Sequence, residues 1–375
     1  MNVLFACTGT AGHINPALAI ADKLREIYPD SRILFVGAGR EMERRLIPKA
    51  GYEFVNIKMS GLRRKVSPKA LLHNIKTVRN LMAANAEVSK IIRDFSPHAA
   101  IGTGGYVCYP ILKKAAKMGV PTLIHESNAI TGLTTKMLSS IVDKVLVSFP
   151  GLEKDYRKPE RVVFTGTPVR GGFSMQDGQD VALPEDTLPL VLSFWGSLGA
   201  ERMNEIIAEF IMLNSKNRKF DHIHATGKKG GQEEMKNRLG TLGVTQELPH
   251  WIEVREYIDD IEPIMAAADI VLCRAGGSTI AELTAMGKPA ILVPSPYVSN
   301  NEQDINARQL EKAGGAVVIE EKSCSGKILF DTVLKILNDD SALAGMSDAQ
   351  KKLGVPDAAE KIVDLIVSLV KRVES

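Results

Sequence analysis

Residues 1–24 read MNVLFACTGTAGHINPALAIADKL: an apolar run, a glycine-containing loop and an apolar-periodic segment in immediate succession. NVLFAC has the length and composition of a strand buried on both faces. Asn15 suits a helix N-cap and Pro16 a first helical position, which predicts a helix through PALAIADKLREIY to Pro29. Strand, glycine loop and helix are the opening step of a doubly wound parallel sheet. Within the loop, Gly9 and Gly12 match two positions of G-x-G-x-x-G, but Cys7 stands where the first glycine belongs. The second strand, RILFVGAGR, ends without the acid that would hold a ribose in a dinucleotide site. A Walker loop, G-x-x-x-x-G-K followed by Ser or Thr, is also absent. The loop therefore suits a phosphate-bearing ligand that is neither a dinucleotide nor ATP in a Walker site.

At 375 residues the chain is long enough for two domains. A net charge of +3 is too small to indicate nucleic-acid binding. Cys7, Cys108, Cys273 and Cys324 are widely spaced, which signals neither a zinc site nor a disulfide framework and fits a reducing, cytoplasmic compartment. No run approaches the ~18 apolar residues of a spanning helix, and no signal peptide is visible.

The opening grammar continues through RILFVGAG, HAAIGTGGY, PTLIHES and VDKVLVSF. FSMQDGQDVALPEDT (173–187) is polar and aperiodic, which predicts a loop near a domain boundary. The grammar then restarts at LPLVLSFWGSLGAERMNEIIAEFI and again at ADIVLCRAGGSTIAELTAMGKPAILVP. DAAEKIVDLIVSLVKRV predicts an amphipathic helix with Ala359, Ile362, Val363, Ile366, Leu369 and Val373 on one side. The expected fold is α/β, two Rossmann-like halves with glycine loops at strand C-ends, where such sheets bind ligands.

Four loops carry the chemistry: TGTAGH (8–13), GTGGY (102–106), WGSLGA (195–200) and RAGGST (274–279). One such loop is an ordinary tight turn; four in two halves predict a shared anion-binding cleft. Glu282, one helical turn past RAGGST, suits a carboxylate accepting two hydrogen bonds from a ribose diol. His13 follows the first loop at the start of a helix, whose positive end suits a neutral imidazole acting as general base. Glu126 and His125, in IHESNA, are alternative bases, and His222 and His224 alternate along a strand as structural residues. No D-x-D occurs, so no metal-held diphosphate is indicated. Residues 54–86 hold seven Lys or Arg and no acid. Within them Leu71, Ile75, Val78 and Met82 share a helix face flanked by Lys69, Lys76 and Arg79, a pattern suited to an anionic membrane surface.

TGTAGHINPALAIA, IGTGGYVCYP, IHESNAITGLTTK, GTPVR, GSLGA, CRAGGSTIAELTAMGKPAILVP and NEQDINARQLEKAG occur in this order. Together they resemble, nearly end to end, the MurG family of peptidoglycan-synthesis N-acetylglucosaminyltransferases, which convert lipid I to lipid II. The resemblance implies a GT-B fold, two Rossmann-like doubly wound domains facing across a cleft. Residues 1–165, joined by the helix 355–375, would take the acceptor and the membrane side; residues 166–350 would bind UDP-N-acetylglucosamine. It implies inverting transfer of the sugar to the 4-hydroxyl of the muramyl unit on undecaprenyl pyrophosphate, at the cytoplasmic face of the bacterial membrane. UDP-N-acetylglucosamine is then a substrate, with no cofactor or metal required, and wall-synthesis or division proteins are expected as partners.

Carried over by position, Ser197 and Arg170 meet the diphosphate and its surroundings, and the backbone of Ile258 reads the uracil edge. Gly277, Ser278, Thr279, Ile280, Ala281 and Glu282 form the loop and helix start at the ribose. Gln303 and Asn128 contact the transferred sugar. Thr10, Ala11 and Gly12 match the first loop, which faces the acceptor diphosphate and the reacting centre and is counted with the donor-binding residues, while Gly104, Gly105 and Tyr106 form the acceptor-side loop. The family's first loop usually reads G-G-T-G-G-H, so Thr8 and Ala11 depart from it, and Trp195 replaces a usual glycine. The indole is expected either to narrow the donor loop or to pack beneath it. A diacylglycerol glycosyltransferase, a UDP-N-acetylglucosamine 2-epimerase and a non-catalytic UDP-sugar-binding protein are the competing readings.

Overall fold

The computed structural model describes residues 1–58, 85–171, 173, 188–228, 231–259 and 261–374. The basic segment with Lys69, Leu71, Ile75, Lys76, Val78, Arg79 and Met82 lies outside the described residues, as does most of the acidic loop. The chain divides into two compact units, residues 1–170 with 355–375, and residues 171–354.

The first unit is a seven-stranded, wholly parallel sheet. Its strands are β1 (Asn2–Cys7), β2 (Arg32–Gly37), β3 (Glu53–Asn56), β4 (Ala99–Gly104), β5 (Thr122–Glu126), β6 (Lys144–Val147) and β7 (Val162–Phe164). They lie in the order β3-β2-β1-β4-β5-β6-β7. Alternation along β1 explains the continuous apolar run. Val3, Phe5 and Cys7 pack on one side with the helix Ala11–Ile27, while Leu4 and Ala6 pack on the other with Ile111 and Leu112. Order reverses between β1 and β4, so their C-terminal ends form a switch point, the position where doubly wound sheets take ligands.

The helix Ala358–Glu374 packs on Ala11–Ile27 within this unit. Its buried stripe is Ala358, Ile362, Val363, Ile366 and Val370, while Val373 is exposed, a one-residue rotation from the sequence reading. The first helix also begins earlier than expected, at Ala11 with Thr10 as N-cap, and Pro16 lies inside it. The loop carbonyl of Thr10 already accepts from His13 N at 3.1 Å, so a first turn forms before Asn15. His13 is therefore in that turn rather than ahead of it.

The second unit holds β8 (Leu190–Phe194), β9 (Asp221–Ala225), β10 (Ile252–Arg255), β11 (Ile270–Cys273), β12 (Ala290–Leu292) and β13 (Ala316–Val318). All are parallel, in the order β10-β9-β8-β11-β12-β13. Its switch point lies between β8 and β11, the two strands that run into WGSLGA and RAGGST. No helix among the described residues is long and apolar enough to cross a membrane.

Candidate functional site

In the first unit the loops after β1 and β4 lie against each other, with Thr8 N donating to Gly104 O at 3.2 Å. His13 Nδ1 lies 2.8 Å from Thr8 O. A carbonyl only accepts, so Nδ1 carries the proton and Nε2 keeps the lone pair. The ring also rests on Gly104: a Cβ there would meet Cδ2 and stand 2.8 Å from Cγ and Nε2, and φ is +130°. Gly105, at φ +87°, lies as tightly on Thr8, where a Cβ would collide with its carbonyl. These two glycines are required by close approach, which the acceptor-side motif did not by itself reveal. Tyr106 stacks beneath the Arg40 guanidinium, 5.6 Å from the ring centroid. Thr10 is exposed and Ala11 to His13 are partly buried. Thr10's own side chain does not cap the helix.

Of the alternative bases, Glu126 has both oxygens engaged by its own loop. Oε1 accepts from Asn128 N and Nδ2, each at 3.2 Å, and Oε2 from Gly132 N at 2.9 Å. Glu126 thus holds Asn128 in place. His125 is buried beneath, with Nε2 3.1 Å from Gly166 O. Burial pushes its imidazole down to about 4, only partly offset by that carbonyl, and His13 adds to the fall. Arg170 closes this unit, and its Nε is buried without a partner among the described residues.

In the second unit the helix Gly277–Met286 starts at Gly276 with no side-chain cap and no acid in its first turn. Gly277, Ser278 and Thr279 thus form the positive, amide end of a helix, the ordinary setting for a phosphate. Ile280 and Ala281 carry the turn forward to Glu282, which is half-buried. Burial raises the Glu282 carboxyl to about 8, and the charge of Glu262 adds to the rise. A Cβ on Gly199 would collide with the Thr226 carbonyl oxygen and one on Gly227 with the Gly199 backbone, so this close approach fixes the turn carrying Ser197. Ile258 is buried in the loop after β10.

A pocket of about 600 Å³ lies at this switch point, lined by Trp195, Ala200, Arg202, Arg274, Ser295 and Gln303 among others. Gln303 Oε1 accepts from Ser295 N at 2.8 Å, which leaves its amide N–H₂ as the donating end. Arg274 is paired with Glu321 and donates to Val293 O at 2.9 Å. Trp195 does not narrow the loop from above. It is 3% exposed and packs into the core with Met203 and Ile207, the second of the two expected placements. Its parity with Val191 and Ser193 is the signal that gives this direction.

His222 and His224 are buried on β9, both within hydrogen-bond reach of Ser193 Oγ, at 2.8 and 2.7 Å. They are core residues, as the strand alternation indicated. Sequence reasoning missed Glu43, a buried carboxylate beneath the first loop. The sole hint is its place as the third residue of the helix Glu41–Lys49, where a Glu commonly reaches back to the cap.

Two parallel, doubly wound units, each with glycine loops at its switch point, place this chain among proteins of the GT-B fold. Residues 3–147 match the glycosyltransferase family 28 N-terminal domain, and residues 190–362 match the family 28 C-terminal domain. The chain belongs to glycosyltransferase family 28. It is 42% identical, over 99% of both chains, to the UDP-N-acetylglucosamine–N-acetylmuramyl-(pentapeptide) pyrophosphoryl-undecaprenol N-acetylglucosamine transferase of Acetivibrio thermocellus. It is 40% identical to the protein of the same description from Listeria monocytogenes serotype 4a, over 99% of this chain and 100% of that one. Among solved structures, Acinetobacter baumannii MurG superposes with a TM-score of 0.73 at 24% identity, covering 98% of this chain and 99% of that one. The UDP-GlcNAc 2-epimerase of Neisseria meningitidis bound to UDP-GlcNAc shares the fold with a TM-score of 0.68 at 13% identity, covering 98% and 100%.

Proposed function

We propose that this chain transfers N-acetylglucosamine from UDP-N-acetylglucosamine to the 4-hydroxyl of the muramyl sugar in lipid I, releasing UDP and lipid II for peptidoglycan synthesis. The observation that carries this reading is identity of 40–42% along essentially the whole chain to transferases of that description.

On this reading the second unit holds the donor. Glu282, as carboxylate, accepts from the ribose diol, the backbone at Ile258 meets the uracil, and Ser197 with the start of the helix Gly277–Met286 meets the diphosphate. Charge accumulates on UDP as the sugar leaves, and fixed amide dipoles together with Arg170 stabilise it. Gln303 and Asn128 meet the sugar hydroxyls. His13 Nε2 takes the proton of the acceptor hydroxyl, whose oxygen attacks the anomeric carbon from the side opposite UDP and inverts it. The imidazolium so formed is steadied by its Nδ1–H bond to Thr8 O. Thr10, Ala11 and Gly12, with Gly104, Gly105 and Tyr106, form the acceptor-side surface. No cofactor or metal is assigned, because the sequence has no D-x-D pair to hold a metal-bound diphosphate.

The undecaprenyl acceptor is a membrane lipid, and residues 54–86 supply a basic, acid-free segment for an anionic surface, at roughly 1 kcal/mol per basic residue near it. This makes the chain a peripheral protein of the cytoplasmic leaflet, within reach of wall-synthesis and division proteins. The test is UDP release by purified protein given UDP-N-acetylglucosamine and a soluble lipid I analogue. Release that depends on the analogue supports the reading. Donor turnover without acceptor, or no release at all, refutes it.

A further inference from the structure

Glu43 has no solvent exposure. A carboxylate in such a place is costly unless its oxygens are met by donors. Oε2 accepts from Arg40 N at 3.2 Å, which is the ordinary use of a glutamate at the third position of a helix. Oε1 does something else. It accepts from the Thr8 hydroxyl and from Gly9 N, the latter at 3.0 Å, and so reaches out of its own helix into the first loop. The fold has left room for it: a Cβ on Gly37 would stand 2.6 Å from Oε2 and 2.9 Å from Phe54 Cε2. The end of β2, where a dinucleotide-binding sheet carries its ribose acid, is thus an empty socket filled from the next helix.

Thr8 is the junction. Its N–H is fixed on Gly104 O, its hydroxyl and the following amide are fixed on Glu43, and its carbonyl bonds His13 Nδ1. We infer that Glu43 is a positioning residue for the transfer reaction: it clamps Thr8 and Gly9 so that the Thr8 carbonyl holds His13 in one tautomer and one place. The inference rests on the reading of His13 as the base. A glutamate serving only the helix needs Oε2 alone; the second oxygen aligns the loop.

The test is a double-mutant cycle in the full chain, with UDP-N-acetylglucosamine and a soluble lipid I analogue, comparing Glu43→Gln, His13→Ala and the pair. Glu43→Gln keeps the shape but weakens charge-assisted bonds, and is expected to lower kcat about 10–100-fold while KM for the donor stays within about twofold. In the His13→Ala background the same change is expected to cost less than about twofold, because the residue acts through a ring no longer there. Thr8→Val, which removes only the hydroxyl, is expected to lower kcat in the same direction, and Thr8→Ser to recover most of that loss. Glu43→Gln with kcat within threefold of the parent, or losses that multiply in the double variant, overturns the inference while leaving His13 as base. His13→Ala with parental kcat overturns the base assignment and this inference with it.

Discussion

Replacing Gly104 with alanine places one methyl group against the proposed base. The added carbon would stand 2.8 Å from His13 Cγ and Nε2, whereas carbon atoms settle at about 3.5–4.0 Å. Relief requires a shift of about 1 Å, and if the ring moves, its 2.8 Å contact to Thr8 O passes beyond hydrogen-bond range. The lost bond contributes about 0.5–1.5 kcal/mol, and holding alanine at φ +130° costs about 1–3 kcal/mol more. The total stays below the ~5–15 kcal/mol that holds a domain together, so the variant folds. A 1 Å displacement of a reacting group costs about a hundredfold in rate. Steady-state assays should therefore show kcat down about a hundredfold. Titration calorimetry should show UDP binding unchanged, because the residues proposed to meet the uracil and ribose, Ile258 and Glu282, lie in the other unit. A folded Gly104→Ala protein with kcat within threefold of the parent would refute the reasoning.

Three further outcomes are expected. Glu282 is held protonated up to about pH 8, so UDP-N-acetylglucosamine should bind more tightly as pH rises from 6 to 9, with Kd changing up to about a hundredfold, and Glu282→Gln should flatten that dependence. A steep profile in the glutamine variant would remove Glu282 from the ribose. Burial keeps His125, His222 and His224 neutral in the fold, with His125 near 4 and His224 near 3, while unfolded imidazoles gain protons near 6.5. Stability should then fall as pH drops below 6.5, by about 2 kcal/mol for His125 between pH 7.5 and 5; urea midpoints that are equal at those pH values would contradict this. Glu321→Ala strands the Arg274 guanidinium, 10% exposed, and should cost about 3–5 kcal/mol in denaturant unfolding, against which a loss under 1 kcal/mol would count.

What the sequence made legible was local. Buried runs of four to six residues announced the strands, and the loops were visible because a glycine is demanded by the backbone itself, as at Gly104 and Gly199. Glu43 was out of reach because its task depends on strand order. Parallel pairing of β1 with β2, Ala6 beside Val36, brings the end of β2 under the first loop, and no local pattern encodes that neighbourhood. Glu126 shows a similar limit: its acidity is plain in the sequence, but the donors engaging both oxygens come from a turn whose path is set by tertiary structure. The start of the first helix was misjudged because cap chemistry at Asn15 and Pro16 outweighed, on paper, a turn already closed by Thr10 O.

The helix Ala358–Glu374 sets a constraint on biosynthesis. Ile362, Val363 and Ile366 are fully buried in the first unit, each worth about 1.5–3 kcal/mol there, yet they emerge from the ribosome only after the whole of residues 171–354. At about 5–20 residues per second, the opening βα units wait roughly 15–70 s with that flank of the helix Ala11–Ile27 uncovered. The segment bearing His13 is thus made long before the helix that completes its packing. Nascent chains arrested before residue 358 should expose this apolar face to chaperones, while the second unit, needing none of it, can already be folded.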